Sequence, residues 1–368
     1  MGGVLLQDVT KDYGKVRAVK HLSLDVKEQE CVVILGPSGA GKTSTLKMIA
    51  GLEEVTSGEI YIDGRLANYL QPHERDIAMT FESYALYPHM TVYDNMALPL
   101  RSPVHRRPEG DIRKRVLDIG TMLGIDALLD RMPAQLSQGQ KQRVGLGRCL
   151  VRQPSVFLFD EPLSHVDAKV RHRMRTEIKR IQDELKTTSI YVTHDYLEAL
   201  ALGDRIVVIE QGEVQQIGTP KQIFDEPANE FVQRIVGDPP ATLLDARIAV
   251  IDGEALLQVR GTSCTLPVPP DMREILLERH NPNVRVAIRP MYVTASLVEG
   301  AACQLKGSVY VFERIETKGV LDVRVGEIAL LAETSPDFQS RPDQDMWLQV
   351  DLDHVRFFDP QTTAAITA

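Results

Sequence analysis

Three features of this 368-residue sequence predict an α/β domain with a phosphate loop, followed by a smaller β-rich domain. Up to about residue 237, short continuous apolar runs alternate with helical patterns, the signature of βα units on a largely parallel sheet. One of those runs passes through a glycine-rich segment ending in Lys-Thr directly into a helical pattern. After the seam Gly237-Asp238-Pro239-Pro240, the pattern becomes short β-rich stretches separated by Gly, Pro, Asp or Asn. Domains over residues 1–237 and 238–368 follow, in keeping with a length of roughly 150 residues per domain.

Taken in order, residues 30–35 (ECVVIL) read as a strand buried on both faces, and residues 42–50 as the helix after it. Residues 155–159 (SVFLF) form a second buried strand, ending in Asp160-Glu161. Val170, Met174, Ile178, Ile181 and Leu185 are spaced by three or four and mark one face of a helix over residues 167–185. The opposite face carries Lys169, Arg171, Arg173, Arg175, Lys179 and Arg180, a solvated basic face rather than a nucleic-acid surface. A strand over 189–193 precedes His194. Beyond the seam, strands over 284–288, 307–312, 319–325 and 347–350 suggest a small sandwich or barrel. Val309, Val311, Leu321, Val323, Trp347 and Leu348 are its expected core.

The composition is that of a globular protein, with 43% hydrophobic and 25% charged residues. The net charge of −9 argues against an electrostatic nucleic-acid binder, and residues 241–368 are the more acidic part, with 18 Asp/Glu against 12 Lys/Arg. No stretch approaches the ~18 apolar residues that cross a bilayer, and the N-terminus lacks a basic region followed by an apolar segment. These features predict a soluble, intracellular chain whose membrane role comes through a partner. Cys31, Cys149, Cys264 and Cys303 are scattered, which predicts free thiols rather than a zinc site or disulfide framework.

The chemistry begins at Gly36-Pro37-Ser38-Gly39-Ala40-Gly41-Lys42-Thr43, which fits G-x-x-x-x-G-K-[ST] between a strand and a helix. Its glycines let the backbone wrap a phosphate, and the N–H groups at the helix start point at the anion, aided by the helix dipole. Lys42 is expected to reach the β- and γ-phosphates, and Thr43 to offer its hydroxyl to Mg²⁺. Asp160 suits a Mg²⁺ partner, and Glu161 suits the base that polarises the attacking water. Both stand where a strand of a doubly wound sheet ends, the edge at which such sheets bind ligands.

With further motifs the sequence resembles the ABC-type ATPases. Leu136-Ser137-Gln138-Gly139-Gln140 resembles their signature motif, and Asp160 to Ser164 followed by His165-Val166-Asp167 resembles Walker B and the D-loop. Thr193-His194-Asp195 is similar to the switch histidine, and Tyr13 sits where the family stacks an aromatic on adenine. Ser83 to Val92 resembles the stretch that adjoins the transmembrane coupling helix in importers for sugars and polyols. Ala287-Ile288-Arg289-Pro290 and Phe358-Asp359-Pro360 resemble landmarks of the regulatory domain in maltose-type and glycerol-phosphate-type subunits.

The resemblance implies a helical subdomain at about 83–152 and an OB-like C-terminal regulatory or dimerisation domain. It implies ATP and Mg²⁺ as cofactors, bound by Gly36 to Thr43 with Ser44, and by Ser137, Gly139 and Gln140 of the other subunit in a head-to-tail dimer. Glu161, His194 and Glu82 would be catalytic; Thr43, Glu82 and Asp160 would hold the metal. The implied partners are membrane permease subunits reached through the helical subdomain and, indirectly, a solute-binding protein. The implied place is the cytoplasmic face of the inner membrane, and no nucleic acid is involved.

Three positions depart from the family pattern: Glu82 where Gln is usual, Gln138 where Gly is usual, and His165-Val166 where Asn-Leu is common. Gln138 is tolerable at a helix start if its φ is negative. Glu82 adds a charge near Glu161 and the γ-phosphate, and two like charges ~5 Å apart at an effective dielectric of ~20 repel by about 3 kcal/mol. The sequence therefore leaves two functions open: a competent importer ATPase for a sugar, polyol such as glycerol, or related solute, or a poorly hydrolysing subunit paired with a sister ATPase.

Overall fold

The computed structural model describes residues 2–81, 84–102, 107–164, 166, 168–300, 304–315 and 317–367, apart from the side chains of Ala168, Lys169 and Leu185. Glu82, Ser83, His165, Asp167 and Cys303 lie outside the described residues. Two compact units divide the chain at Gln222/Ile223.

In the first unit a six-stranded sheet runs in the order 213–218, 205–210, 31–35, 188–193, 156–160, 77–80. All neighbours are parallel except the pair 205–210 and 213–218. Strands Cys31–Leu35, Val156–Asp160 and Thr188–Thr193 are buried at every position, the first two carrying the apolar runs read from the sequence. Register does the rest: Leu35 pairs with Thr193, and Asp160 with Val192. Gly36, Glu161 and His194 therefore leave the sheet side by side at its C-terminal edge. A second, antiparallel sheet joins Val16–Val26, Val4–Tyr13, Ser57–Ile62 and Arg65–Leu66.

Helix α1 (Lys42–Ala50) starts where its sequence pattern does. Three further helices of the first unit are α2 (Val92–Arg101), α3 (Glu109–Met122) and α4 (Gln138–Leu150). Helices α2 and α4 pack closely at Gly147, where a Cβ would lie 2.9 Å from the mobile end of Met96, its Cε. Helix α5 (Ala168–Leu185) buries Met174, Ile178 and Ile181, as the spacing predicts, and leaves Arg173 and Arg180 exposed. Helix α6 (Tyr196–Leu202) follows the His194 strand.

The second unit contains two antiparallel sheets, one ordered 265–267, 254–259, 242–251, 283–288, 356–358, 365–366 and the other 293–296, 345–350, 305–315, 318–325, 328–334. They share one core that includes Leu257 and Val286 from the first sheet and Leu321, Val323, Leu330 and Leu348 from the second.

The structure corrects the expected boundary. Residues 223–237 belong to the second unit, because its side chains and strands hold them. The Arg289 guanidinium donates to Val236 O (2.6 Å) and Phe224 O (2.8 Å), Arg285 pairs with Glu230 (2.9 Å), and Asn229 bridges to Ala364. The expected core is corrected at two positions. Trp347 lies between buried Met346 and Leu348, so strand alternation turns it to the other face, where Lys306 Nζ sits 5.0 Å over its ring. Val311 is 38% exposed because the pairing shifts from Val309↔Val323 to Val311↔Asp322. This bulge turns Val311 away from the face shared with Val309. Cys31 and Cys149 are free and buried, as expected, and Cys264 is free and half-buried; burial pushes both the Cys31 and Cys149 thiols up to about 12.

Candidate active site

The phosphate loop is shaped by its glycines. Gly41 adopts φ 101°, and a Cβ there would stand 2.3 Å from Ala18 O, so only glycine fits against the strand Val16–Val26. Gly39, at φ 80°, faces open space. Gly41 caps α1 with no side-chain hydrogen bond, so the first N–H groups of the helix remain available to an anion. Pro37, Ser38 and Gly39 are exposed, Ala40 is buried, and Thr43 and Ser44 are half-buried.

Lys42 is 4% exposed, and its ammonium donates to Gly36 O (2.9 Å) and Pro37 O (3.0 Å). It also lies 3.3 Å from Glu161 Oε1. The other oxygen of that carboxylate is 2.9 Å from His194 Nδ1. Thr43 Oγ1 donates to Asp160 Oδ1 at 2.9 Å, and Thr80 Oγ1 accepts from the Asp160 N–H at 3.1 Å. Thr43 and Asp160 thus bring two hard oxygens together, a donor set suited to Mg²⁺, which takes one or two protein oxygens and leaves the rest to phosphate and water. Five residues expected to act together therefore meet at one sheet edge, although 152 positions separate Lys42 from His194.

Glu161 has φ 44°, a left-handed conformation that a non-glycine residue adopts at a cost of order 1 kcal/mol. Its N–H is held by Val192 O at 3.1 Å, and its carbonyl accepts from Ser164 Oγ (3.1 Å) and Gln142 Nε2 (3.3 Å). The strain turns the carboxylate from the strand line toward Lys42 and His194. Such outliers persist where neighbours over-determine them.

Ser137 caps α4, accepting from the Gln140 N–H at 3.3 Å, while Gln140 Oε1 accepts from the Ser137 N–H at 2.9 Å. Gln138 opens the helix without a positive φ. These cap bonds are local and join neither Lys42 nor Glu161. Tyr13 ends its strand 42% exposed, with Lys11 Nζ 4.8 Å from its ring. It pairs with Val16, two residues before the Ala18 carbonyl that abuts Gly41, which places its hairpin beside the phosphate loop.

The stretch resembling a coupling surface is braced from α2 and α4. Fully buried Asn95 donates to Tyr87 O, Met90 O and Thr91 O, while Arg148 donates to Ala85 O (2.7 Å) and Tyr84 O (2.9 Å). Sequence reading missed these braces, and it missed the buried set behind His194. There Glu198, 2% exposed, accepts from Tyr191 OH (2.9 Å) and Thr193 Oγ1 (2.8 Å), and burial raises its carboxyl above the ordinary range. The available signal was a polar residue within apolar runs, as with Glu198 between Leu197 and Ala199.

The family model described as ABC transporter matches residues 19–164. The chain is 43% identical, over the full length of both chains, to the trehalose/maltose import ATP-binding protein MalK of Thermococcus litoralis. It is also 43% identical over both full lengths to the sulfoquinovosyl glycerol transport ATP-binding protein SmoE of Agrobacterium fabrum. The sn-glycerol-3-phosphate import ATP-binding protein UgpC of Psychromonas ingrahamii is 53% identical over 67% of this chain and 66% of its own. Among solved structures, the dimeric ATP-binding cassette MJ0796 bound to ADP and Pi is 34% identical, with TM-score 0.55, covering 59% of this chain and 98% of that one.

Proposed function

The chain belongs to the family of ATP-binding subunits that energise ABC importers, and on that premise we propose how its own residues run the ATPase. The meeting of Lys42, Thr43, Asp160, Glu161 and His194 at one strand edge carries the reading. Residues Gly36 to Ser44 wrap the phosphates of ATP, Lys42 holds the terminal ones, and Tyr13 stacks on the base. Thr43 and Asp160 would hold Mg²⁺, with Glu82 as a further oxygen, and the ion when bound would supply positive charge to the phosphates. Glu161 takes the proton of the attacking water, and His194, hydrogen-bonded to Glu161, contacts the γ-phosphate.

Ser137, Gly139 and Gln140 complete the site of a second subunit in a head-to-tail dimer, because their helix start offers N–H groups without reaching their own phosphate loop. A helical subdomain at about 83–152 meets the permease through the stretch Ser83 to Val92, on the cytoplasmic face of the membrane. No helix among the described residues is long and apolar enough to cross one. A solute-binding protein feeds that permease. The second unit acts as a regulatory or dimerisation domain, with its five-stranded sheet as the OB-like part. The solute is a sugar, polyol or glycerol derivative, a class supported by the names of three relatives.

Glu161→Gln tests the reading. Turnover in the assembled transporter should fall by about 10²–10⁴ while ATP binding persists and the dimer stays closed. Turnover equal to the parent would remove Glu161 as the base.

A further inference from the structure

His194 is 54% exposed, and its side chain has one described partner, Glu161. An exposed imidazole on a loop needs its backbone fixed from elsewhere if it is to meet a phosphate reproducibly. We propose that Arg171, on α5, is the positioning residue that sets His194 against Glu161; this deepens the reading above and rests on it.

The argument is geometric. Glu161 begins a tight turn closed by Ser164 N–H to Glu161 O (3.3 Å) and Val166 N–H to Leu163 O (3.2 Å). Arg171 Nη2 donates to Val166 O, at the far end of that turn, at 3.1 Å. Its Nη1 lies 3.4 Å from Asp195 Oδ2, on the residue after His194. One planar guanidinium thus spans the two loops whose side chains meet at Glu161–His194. A fork of fixed N–H directions can set that separation, whereas a point charge such as an ammonium cannot.

Asp195 passes the constraint on. Its Oδ1 accepts from the Leu197 and Glu198 N–H groups (2.8 and 3.3 Å), anchoring the loop to α6, and its own N–H donates to Thr193 Oγ1 (2.9 Å). Thr193 is held in turn by Glu198. His194 is therefore bracketed by one polar residue on each side, and Arg171 links that bracket to the far end of the Glu161 turn, whose near end is held by the Glu161 N–H bond to Val192 O. Both ends of the link are partly screened from water, with Arg171 31% and Asp195 20% exposed, so the bond is less diluted by solvent than a surface pair.

The test is a double-mutant cycle on the full-length chain, using Mg·ATP under single-turnover conditions with protein in excess, so that slow rates stay readable. Arg171→Met should lower the maximal rate about tenfold and shift the protein concentration at half-maximal rate less than twofold. In a His194→Ala background the same substitution should cost less than twofold, because its effect runs through the imidazole. Asp195→Asn, which keeps the cap acceptor, should lose about threefold with the same dependence on His194, and serves if Arg171→Met does not fold. Equal losses with and without His194, or a weaker half-saturation at unchanged rate, would overturn the positioning role. A His194→Ala chain as fast as the parent would instead strike the functional reading beneath it.

Discussion

The two units bury charged groups to different ends. In the first, Lys42 and Asp160 are 4% and 3% exposed, and both face a strand edge where other charged and polar groups converge. In the second, Arg289 is 5% exposed but donates to the carbonyls of Val236 and Phe224, with its guanidinium 3.8 Å over the Phe224 ring. That arginine ties one segment of the chain to another. The difference follows from topology. Parallel strands all end on one side, so residues just past those ends collect at one edge. Antiparallel strands alternate in direction and scatter their ends over two edges.

The comparison can be broken first at the metal oxygens. Asp160→Asn keeps the shape but removes the charge beside Thr43; it should cut turnover by about 10³-fold and raise the Mg²⁺ concentration needed, read by ATPase assays across a Mg²⁺ titration. Thermal stability of the second unit should not move.

Glu82→Gln comes next. If Glu82 repels Glu161 by about 3 kcal/mol, relieving it should speed hydrolysis at that site by up to roughly a hundredfold. A rate unchanged or lower, in a complex containing two copies of this chain, would exclude pairing with a faster sister ATPase.

The converse substitution is Arg289→Met. It leaves the Val236 and Phe224 carbonyls without their donor, and should destabilise the second unit by about 2–3 kcal/mol while ATP binding is retained. Calorimetry with a nucleotide titration checks both halves. A chain ending at Gln222, rather than near Asp238, is correspondingly the shorter form that should still bind ATP.

The smallest effect sharpens the contrast through pH. Burial raises the Glu198 carboxyl above its ordinary 4.5, so the folded chain holds that proton more tightly than the unfolded one. Its stabilising contribution is full below about pH 4.5 and is lost as pH rises through the raised value. Glu198→Gln does not titrate, so as pH rises from about 4.5 its denaturation midpoint should fall less than the parent's. Parallel midpoint curves would show that Glu198 does not contribute to the pH dependence.

Much of the site was legible residue by residue. Gly36 to Thr43 form a local motif, and the structure starts α1 at Lys42 as read. The buried strands before Gly36 and Glu161 were visible as apolar runs. Arg171 was read only as part of a solvated basic face, because helical spacing reports which side a residue occupies, not which loops pass nearby. Glu198 stood in a seven-residue helix too short for its period to be informative.

What the sequence determined by itself is local: the phosphate loop, the helix periods, the two regimes and the family resemblance, all set by neighbours within a few turns of chain. What only the tertiary structure decided depends on pairing between distant segments. Strand register placed Glu161 beside His194, the bulge after Val309 turned Val311 outward, and Arg289 drew residues 223–237 into the second unit. Each of these outcomes is a choice between conformations of similar local energy, made by contacts across tens or hundreds of residues that no sequence window contains.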